Sequence, residues 1–432
     1  MAEETATPDT AVSTVTEMPA ELAETAKAAG WPEELVLELL SQGAEPADLT
    51  RYMVSGVTEE QVRQFMASQG GDGSGQGGME LALEWMTVPT EWGIRAKPTA
   101  HGLTIDAINV GKYGDVPDVW EYHSEMPRGA IPMLGVESMG YTIYEKQELW
   151  ADNAGALYEE AIQRRWAPAT DVDWENIKPL PDDLERAICQ ICTHFSEKAQ
   201  LEADILAGWE PELSYGYHEI KLYLSTAIFE GARHSELFRK RALSNGGGLG
   251  LQSPGWGFRS VTDARNFTEM VAVQMVLQDS FTLTQYQYCE RYAPSAAEKR
   301  MFRMAMQDKA RHVAYGISHL KYVLLHKAER RKELERYLDK GESLLVADDK
   351  DSATREAFAI LFVGSQEKIQ EGLQMYEEMR GRQVQQYLAR LRWATLERKE
   401  TIVLALRKYV QDQNEAAGSQ TPGTAARMLE VK

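Results

Sequence analysis

The amino-acid sequence predicts an all-α protein whose main domain is a bundle of long helices. Five long segments between about residues 151 and 326 carry apolar residues three or four positions apart, which is the period of an amphipathic helix. A Gly-rich break, SNGGGLGLQSPGWG, separates the third segment from the fourth. Long helices in pairs, with one longer connection, are typical of bundles that hold functional side chains in their core. Two matching charged motifs on the third and fifth segments support the same fold.

The rest of the chain divides into shorter regions of distinct composition. The first residues are mostly Thr, Ala, Glu and Val and offer little to bury. Three short segments of similar sequence pattern follow, and each has acids near its start and Gly near its end, as short helices do. GGDGSGQGG has the composition of a flexible linker, and the stretch after it is rich in Trp, Gly and Pro. The predicted regions are disorder over 1–17, a small acidic helical domain over 18–69, a Gly-rich linker over 70–78, an irregular aromatic-rich arm packed on the main domain over 79–150, the helical domain with its C-terminal helices over 151–413, and a flexible tail over 414–432.

Charge and composition argue against several classes of function. The net charge is -20 and the pI is about 5.0, so the protein repels nucleic-acid phosphates and anionic lipid surfaces. The sequence lacks an apolar run of about 18 residues that would span a membrane, and no signal peptide is apparent. Three cysteines in 432 residues do not make a disulfide framework, which favours a cytoplasmic protein.

The N-terminal region carries more than half of the net charge. Residues 1–78 contain 14 acidic and 3 basic residues. Two interpretations of the helical domain over 18–69 remain open: a solvated accessory domain, or a module that docks on a basic protein partner. A homo-oligomer also remains open, whereas nucleic acid and membrane are not expected partners.

Two pentapeptides carry the clearest functional signal. EGARH spans residues 230–234 and DKARH spans 308–312, so an acid is followed by Arg-His at the same spacing on two helices. One such motif is weak, because many helices carry an ion-paired face. Two of them, each in mid-helix with small or apolar flanks, indicate a shared site inside the bundle.

With these motifs the chain resembles the ferritin-like di-iron carboxylate superfamily over about residues 150–325. This superfamily includes bacterial multicomponent monooxygenase hydroxylases, ribonucleotide reductase small subunits and acyl-carrier desaturases. Its pattern is Asp-Glu-x-Arg-His on two helices plus one Glu on each of two others, with the Glu and His facing the metals. The leading acid and the Arg support the histidines from behind. The resemblance assigns the histidine ligands to His234 and His312, the leading acids to Glu230 and Asp308, and the arginines to Arg233 and Arg311.

The four carboxylate ligands of the family pattern are substituted. Where the resemblance places them, this sequence has Ala199, Gly231, Gln278 and Lys309. Helical spacing puts these positions on inward faces that hold almost no acids. Three acids lie near these positions but off register: Glu197, Glu202 and Asp279.

Without these carboxylates, two ferrous ions lack both charge balance and hard oxygen ligands. The lysine at 309 would take the place of a metal and neutralise Glu230 or Asp308. We therefore expect no cofactor. Two alternatives remain open: an intact di-iron site in another register, and a single iron or manganese ion held by off-register acids. The ligands of that single ion would be His234, His312, Glu230, Asp308, Asp279 and Glu197.

Two functional classes follow from this pattern. The first is a metal-free relative of the di-iron oxygenases that serves as a scaffold, regulatory partner or ligand-binding protein. The second is an oxidoreductase, similar to a monooxygenase, with an atypical mononuclear or metal-free centre and a small organic substrate. In the second class, the candidate catalytic residues are Lys309, His234 and His312.

Overall fold

The computed structural model describes residues 18–42, 44–54, 57–69, 86, 90–120, 127–131 and 139–410. The predicted disorder over 1–17, the linker over 70–78 and the tail over 414–432 lie outside these residues, as do parts of the arm. The described chain is helical and contains no β-strand, only isolated bridges, which confirms the all-α prediction. None of the described helices is both long enough and apolar enough to cross a membrane.

The chain forms two compact units. The first contains the described residues within 1–95, 110–115 and 124–138. It has its own core of Leu, Val, Met and Trp side chains, in which the indole of Trp31 donates to the carbonyl of Val57 at 2.8 Å. Its helices are α1 (Ala20–Ala29), α2 (Glu33–Ser41), α3 (Pro46–Val54), α4 (Glu59–Gln69) and the short α5 (Gly111–Gly114).

The second unit holds the remaining described residues, including 96–109, 116–120 and 139–150 of the predicted arm. These arm segments are irregular apart from short 3-10 turns, and they contribute Ile143 and Leu149 to the core of this unit. The 3-10 turns of the unit are Asp106–Ile108, Lys146–Glu148, Trp174–Asn176, Glu210–Glu212, Tyr215–Tyr217, Ala328–Arg330, Asp348–Lys350 and Gln366–Lys368.

The helices of the second unit supply the bundle. They are α6 (Ala154–Gln163), α7 (Asp182–Trp209), α8 (His218–Ser244), α9 (Trp256–Thr262), α10 (Phe267–Val271), α11 (Asp279–Tyr292), α12 (Ala296–His326), α13 (Arg331–Ala347), α14 (Ser352–Val363), α15 (Ile369–Trp393) and α16 (Leu404–Arg407). A π-helix, Ala272–Gln278, joins α10 to α11 in one continuous rod.

Local sequence explains where several of these helices begin. Ser295 and Glu298 form a capping box at the start of α12: each side chain accepts from the backbone N–H of the other residue. Asn266 caps α10 by accepting from the N–H of Glu269 at 2.8 Å. Asp351 caps α14 in the same way, at 3.2 Å from the N–H of Thr354.

Four helical rods surround the polar centre of the unit. Helix α7 packs along α8, and the α10–π–α11 rod packs along α12, which also contacts α8. Helices α14 and α15 cover α7 and α11, and α13 packs on α9 and on the π-helix. This arrangement confirms the predicted ferritin-like bundle. Its apolar side chains form three clusters, and charged side chains fill the space among α7, α8, α11 and α12.

Candidate functional site

The two pentapeptides cross-connect in the middle of the bundle. His234 on α8 lies with its Nε2 3.0 Å from Oδ2 of Asp308 on α12. His312 on α12 lies with its Nε2 3.0 Å from Oε2 of Glu230 on α8. Each histidine therefore contacts the acid of the other motif, which explains why the acid-to-histidine spacing of four residues recurs on both helices. All four side chains are buried.

The two arginines bind the same acids. Arg311 donates through Nη2 to Glu230 and, at 2.5 Å, to Oδ1 of Asp308. Arg233 donates through Nη2 to Oδ2 of Asp308 at 2.6 Å and lies 3.7 Å from Oε1 of Glu230. The motifs thus form one ion-paired network in which both carboxylates are shared between the arginines and the histidines.

Trp166 completes this network from the segment between α6 and α7. Its indole N–H donates to Oδ2 of Asp308 at 3.0 Å, and its ring stacks on the His234 imidazole with 6.0 Å between centroids. The guanidinium of Arg233 lies over the same indole, 4.3 Å from its centroid. Sequence reasoning missed Trp166, because it belongs to no periodic pattern and lies 142 residues from its acceptor.

Lys309 occupies the centre of the bundle. Its Nζ lies 2.8 Å from Oδ1 of Asp279 on α11 and is ion-paired with Glu202 on α7. Only 1% of the side chain is exposed. Asp279 also approaches Nδ1 of His312 at 3.4 Å, so it connects the lysine to the paired motifs. The sequence analysis noted Glu202 only as an off-register acid near position 199. In the structure Glu202, rather than residue 199, pairs with Lys309.

The four substituted ligand positions are not equivalent. Lys309 alone places a charged side chain at the centre. Ala199 and Gly231 lie where α7 and α8 come closest: a Cβ on Gly231 would lie 2.9 Å from Cβ of Ala203 and 3.1 Å from the carbonyl of Ala199. A glutamate at 231 therefore has no room unless the two helices separate. Gln278 is buried with its Oε1 3.5 Å from Nζ of Lys198.

The prediction that the inward faces hold almost no acids is wrong. Glu202 and Asp279 are both buried in the centre and pair with Lys309. Glu197, which was predicted as a fallback metal ligand, is exposed on α7 and does not join them. The Asp279 error has a physical cause: the preceding π-helix makes i→i+5 bonds, so a face extrapolated with α-helical spacing to Gln278 does not continue.

Lys309 and the neighbouring carboxylates shift each other's pKa values. Burial alone would raise the pKa of Asp279, but Lys309 and His312 outweigh it and lower that pKa to about 2. Asp308 behaves likewise, because His234 and the two arginines hold its pKa well below the usual range despite burial. Burial acts to lower the pKa of Lys309, yet Asp279 and Glu202 raise it above its ordinary value. For Glu202 burial prevails over Lys309, and its pKa is raised.

The two histidines differ in their expected charge. Burial lowers the pKa of His234, and the contact with Asp308 does not fully offset it, so this ring is neutral at pH 7. Burial and the charge of Lys309 act to lower the pKa of His312 as well. There the contacts with Asp279 and Glu230 outweigh both effects and raise its pKa. His312 is thus the titratable partner of the network.

A pair of metal ions does not fit this set of side chains. The family pattern needs about four carboxylates directed at the metals. Here the ammonium of Lys309 lies between Glu202 and Asp279, and Arg311 binds both Glu230 and Asp308. Within the described residues, no group of three or more His, Cys, Asp and Glu side chains is arranged to hold a metal ion. The donor set of this centre therefore does not fit two metal ions.

A second buried lysine, which sequence reasoning did not single out, lies beside this centre. Lys198 on α7 donates to Oγ1 of Thr282 at 2.6 Å and lies over the ring of Phe258 at 5.3 Å from the centroid. Burial lowers its pKa. It lines a cavity of about 740 Å³ whose walls include residues of α7, α8, α9, the π-helix, α11, α13, α14 and α15.

The fold and the paired motifs define a ferritin-like bundle with a salt-bridged core. No protein-family model and no curated protein matches the sequence. Solved structures of an R2-like ligand-binding oxidase are similar to it. A single-site mutant with a Mn/Fe cofactor has 16% identity and a TM-score of 0.42, over 56% of this chain and 94% of that chain. A mutant with an Fe/Fe cofactor has 15% identity and a TM-score of 0.41, over 55% and 92%. At these values the similarity says nothing about cofactor or activity in this chain.

Proposed function

We propose that this protein is a metal-free, ferritin-like binding protein rather than a di-iron oxygenase. One observation carries the proposal: Lys309 lies at the centre of the bundle, in contact with both Glu202 and Asp279. The cation that a di-metal core would recruit from solution is here supplied by the chain.

Charge compensation supports this proposal. The centre contains four buried carboxylates, and each contacts at least one cationic or imidazole side chain of the network. Isolated buried carboxylates would be strongly disfavoured, and a metal ion would normally stabilise them. With Lys309, Arg233, Arg311 and the raised pKa of His312, this stabilisation is already present. Adding divalent cations would require these groups to leave or lose their protons.

The large cavity beside Lys198 favours ligand binding over a purely structural role. Its volume of about 740 Å³ lies within the range of small-molecule sites, roughly 300–1,000 Å³. Its walls come mainly from seven α-helices, the π-helix and the connector that precedes α9. We therefore place binding at this cavity and assign the Lys309 centre to holding the bundle together.

Metal analysis of the full-length protein tests the metal-free part. The protein is expressed with iron and manganese supplied, alongside a known di-iron protein that shows both metals were available. We expect far less than one metal ion per chain. About two ions per chain would contradict the proposal outright, as the di-metal family binds two. One tightly bound ion per chain would also contradict it and would favour a mononuclear oxidoreductase centre.

A further inference from the structure

The cavity of about 740 Å³ is lined by side chains of both charge signs. Its acids are held by neighbouring groups: Asp348 accepts from the N–H of Gly257 at 2.9 Å, and Asp349 pairs with Arg380 at 3.0 Å. Asp351, also in the lining, caps α14. Glu197 and Asp204 also line the cavity, and Asp204 accepts from Gln200 at 3.0 Å. Most of these acids therefore contact groups within the protein, and Asp349 is neutralised by an arginine of the same lining.

Three cations of the lining form no ion pair among the described residues: Lys198, Arg355 and the exposed Arg239 on α8. Lys198 is only 8% exposed, yet within the described residues no carboxylate oxygen lies within 4.0 Å of its Nζ. Its hydrogen-bond acceptors, Thr282 and Gln278, are both neutral. Arg355 on α14 lines the same cavity and likewise forms no ion pair among the described residues. A buried lysine without an anion is unusual, because such side chains are rarely buried unless paired.

Gln278 adds an unpaired donor to this cavity. Its side chain is 2% exposed, and its Nε2 finds no hydrogen-bond acceptor in the described structure. Its Oε1 faces Lys198 at 3.5 Å, which fixes the orientation of the amide, since the reverse orientation would put two donors together. A buried donor left unsatisfied costs about 1–3 kcal/mol, so an acceptor that reaches it gains that much.

The connector before α9, which contributes to the cavity wall, is held in place by α7. Gln190 on α7 binds the backbone of Leu251 twice, donating to its carbonyl at 2.9 Å and accepting from its N–H at 2.7 Å. Thr193 accepts from the N–H of Gly250 at 2.8 Å. The connector that contributes Gln252 to the cavity wall is thus tied to α7, and the cavity is a built feature of the unit.

We propose that this cavity binds a small polar organic anion, whose carboxylate or phosphate oxygens pair with Lys198 and accept a hydrogen bond from Gln278. The inference rests on the binding role proposed above and names its ligand class. The anion supplies a contacting ion-pair partner for Lys198, on which Glu202, Asp279 and Asp348 act only from beyond 4.0 Å, and it supplies the acceptor that Gln278 lacks. Arg355, in the same lining, is a second cation for the ligand. The charged lining suits a compact polar molecule rather than a hydrocarbon chain.

Binding to the full-length protein tests this inference by calorimetry at physiological salt. The probes are succinate and citrate for the carboxylate class, glycerol 3-phosphate for the phosphate class, and glycerol as a neutral control. We expect at least one anionic probe to bind, and glycerol not to. Replacing Lys198 by Met should weaken that binding about tenfold or more, because a charge-assisted hydrogen bond is lost. Lys198→Arg should retain part of it.

The exposed Lys321 on α12 provides the matched control. Lys321→Met removes the same charge and should leave probe affinity unchanged, while far-UV circular dichroism confirms that both Met variants are folded. Equal losses in the two variants would overturn the assignment of Lys198, as would the failure of all three anions to bind at millimolar concentration. Metal content measured on the same sample separates the two proposals: a metal-loaded protein that binds an anion through Lys198 would overturn only the metal-free function.

Discussion

Two lysines are buried in the same bundle, and their surroundings differ sharply. Lys309 on α12 contacts two carboxylates, Glu202 and Asp279. Lys198 on α7 contacts only neutral acceptors and an aromatic ring, and it borders a cavity. The comparison separates two uses of buried charge. A buried lysine that is ion-paired within the chain stabilises the fold. A buried lysine with no contacting carboxylate, beside a cavity, indicates a binding site for an anion.

Removing Lys309 tests the first half of that comparison and should have the largest effect. Lys309→Met leaves Glu202 and Asp279 buried without their shared cation. Breaking a buried ion pair in this way costs about 3–5 kcal/mol. We expect a loss of that size in the free energy of unfolding of the bundle, measured by urea denaturation with far-UV circular dichroism.

A compensated variant distinguishes lost charge balance from lost packing. Adding Glu202→Gln and Asp279→Asn to Lys309→Met removes the stranded negative charges and should recover much of the stability. If the triple variant is as unstable as Lys309→Met, the ion pairs are not what stabilises the centre.

The acid dependence of stability should be the next largest effect. The pKa of Asp279 is lowered to about 2 in the folded protein, from roughly 3.9 in an unfolded chain. Its contribution is therefore fully present above pH ~4 and is lost as the pH falls through about 2, a change of about 2–3 kcal/mol. Denaturation between pH 5 and 2 should show this decline, and Asp279→Asn should make it shallower. An unchanged slope in the variant would assign the acid sensitivity to other groups.

The close approach of α7 and α8 predicts a moderate effect at Gly231. A methyl group there meets Ala203 at 2.9 Å and the Ala199 carbonyl at 3.1 Å, and overpacking of this kind costs about 1–3 kcal/mol. Gly208, also helical, has nothing within 4 Å of a built Cβ, so Gly208→Ala should be neutral or stabilising. Comparable midpoints for the two alanine variants in urea would show that the helices separate easily. Restoring a glutamate at 231 would then be feasible.

The smallest effect on stability is expected at Lys198. It has no ion-pair partner that would be left unpaired, so Lys198→Met should change the free energy of unfolding by less than about 1 kcal/mol without ligand. A loss as large as that of Lys309→Met would show that Lys198 also serves the fold, and the contrast between the two lysines would disappear.

The amphipathic period of the long helices was sufficient to predict the bundle, because it records which face is buried. The pairing of EGARH with DKARH also indicated a shared site. Their crosswise contacts, His234 with Asp308 and His312 with Glu230, needed the packing of α8 on α12.

The sequence alone does not determine which residues of each helix point into the bundle, or how closely the helices approach one another. The π-helix over Ala272–Gln278 changes the number of residues per turn, and no sequence pattern predicts a π-helix there. The expected ligand position was therefore Gln278, with Asp279 beside it. Glu202 was noted only as a nearby acid, because the family pattern aligns best with Ala199 on this helix. Docking of the acidic domain over 18–69 on a basic partner stays a prediction.

Lys309 also has a consequence for how this core responds to its environment. A cation that is part of the polypeptide cannot dissociate, be removed by a chelator or change oxidation state. It is present as soon as the chain is synthesised, at a fixed ratio of one per molecule. In the metal-free centre proposed above, the charge on Lys309 therefore does not depend on the supply of iron or on the redox conditions, and its raised pKa keeps it protonated at neutral pH.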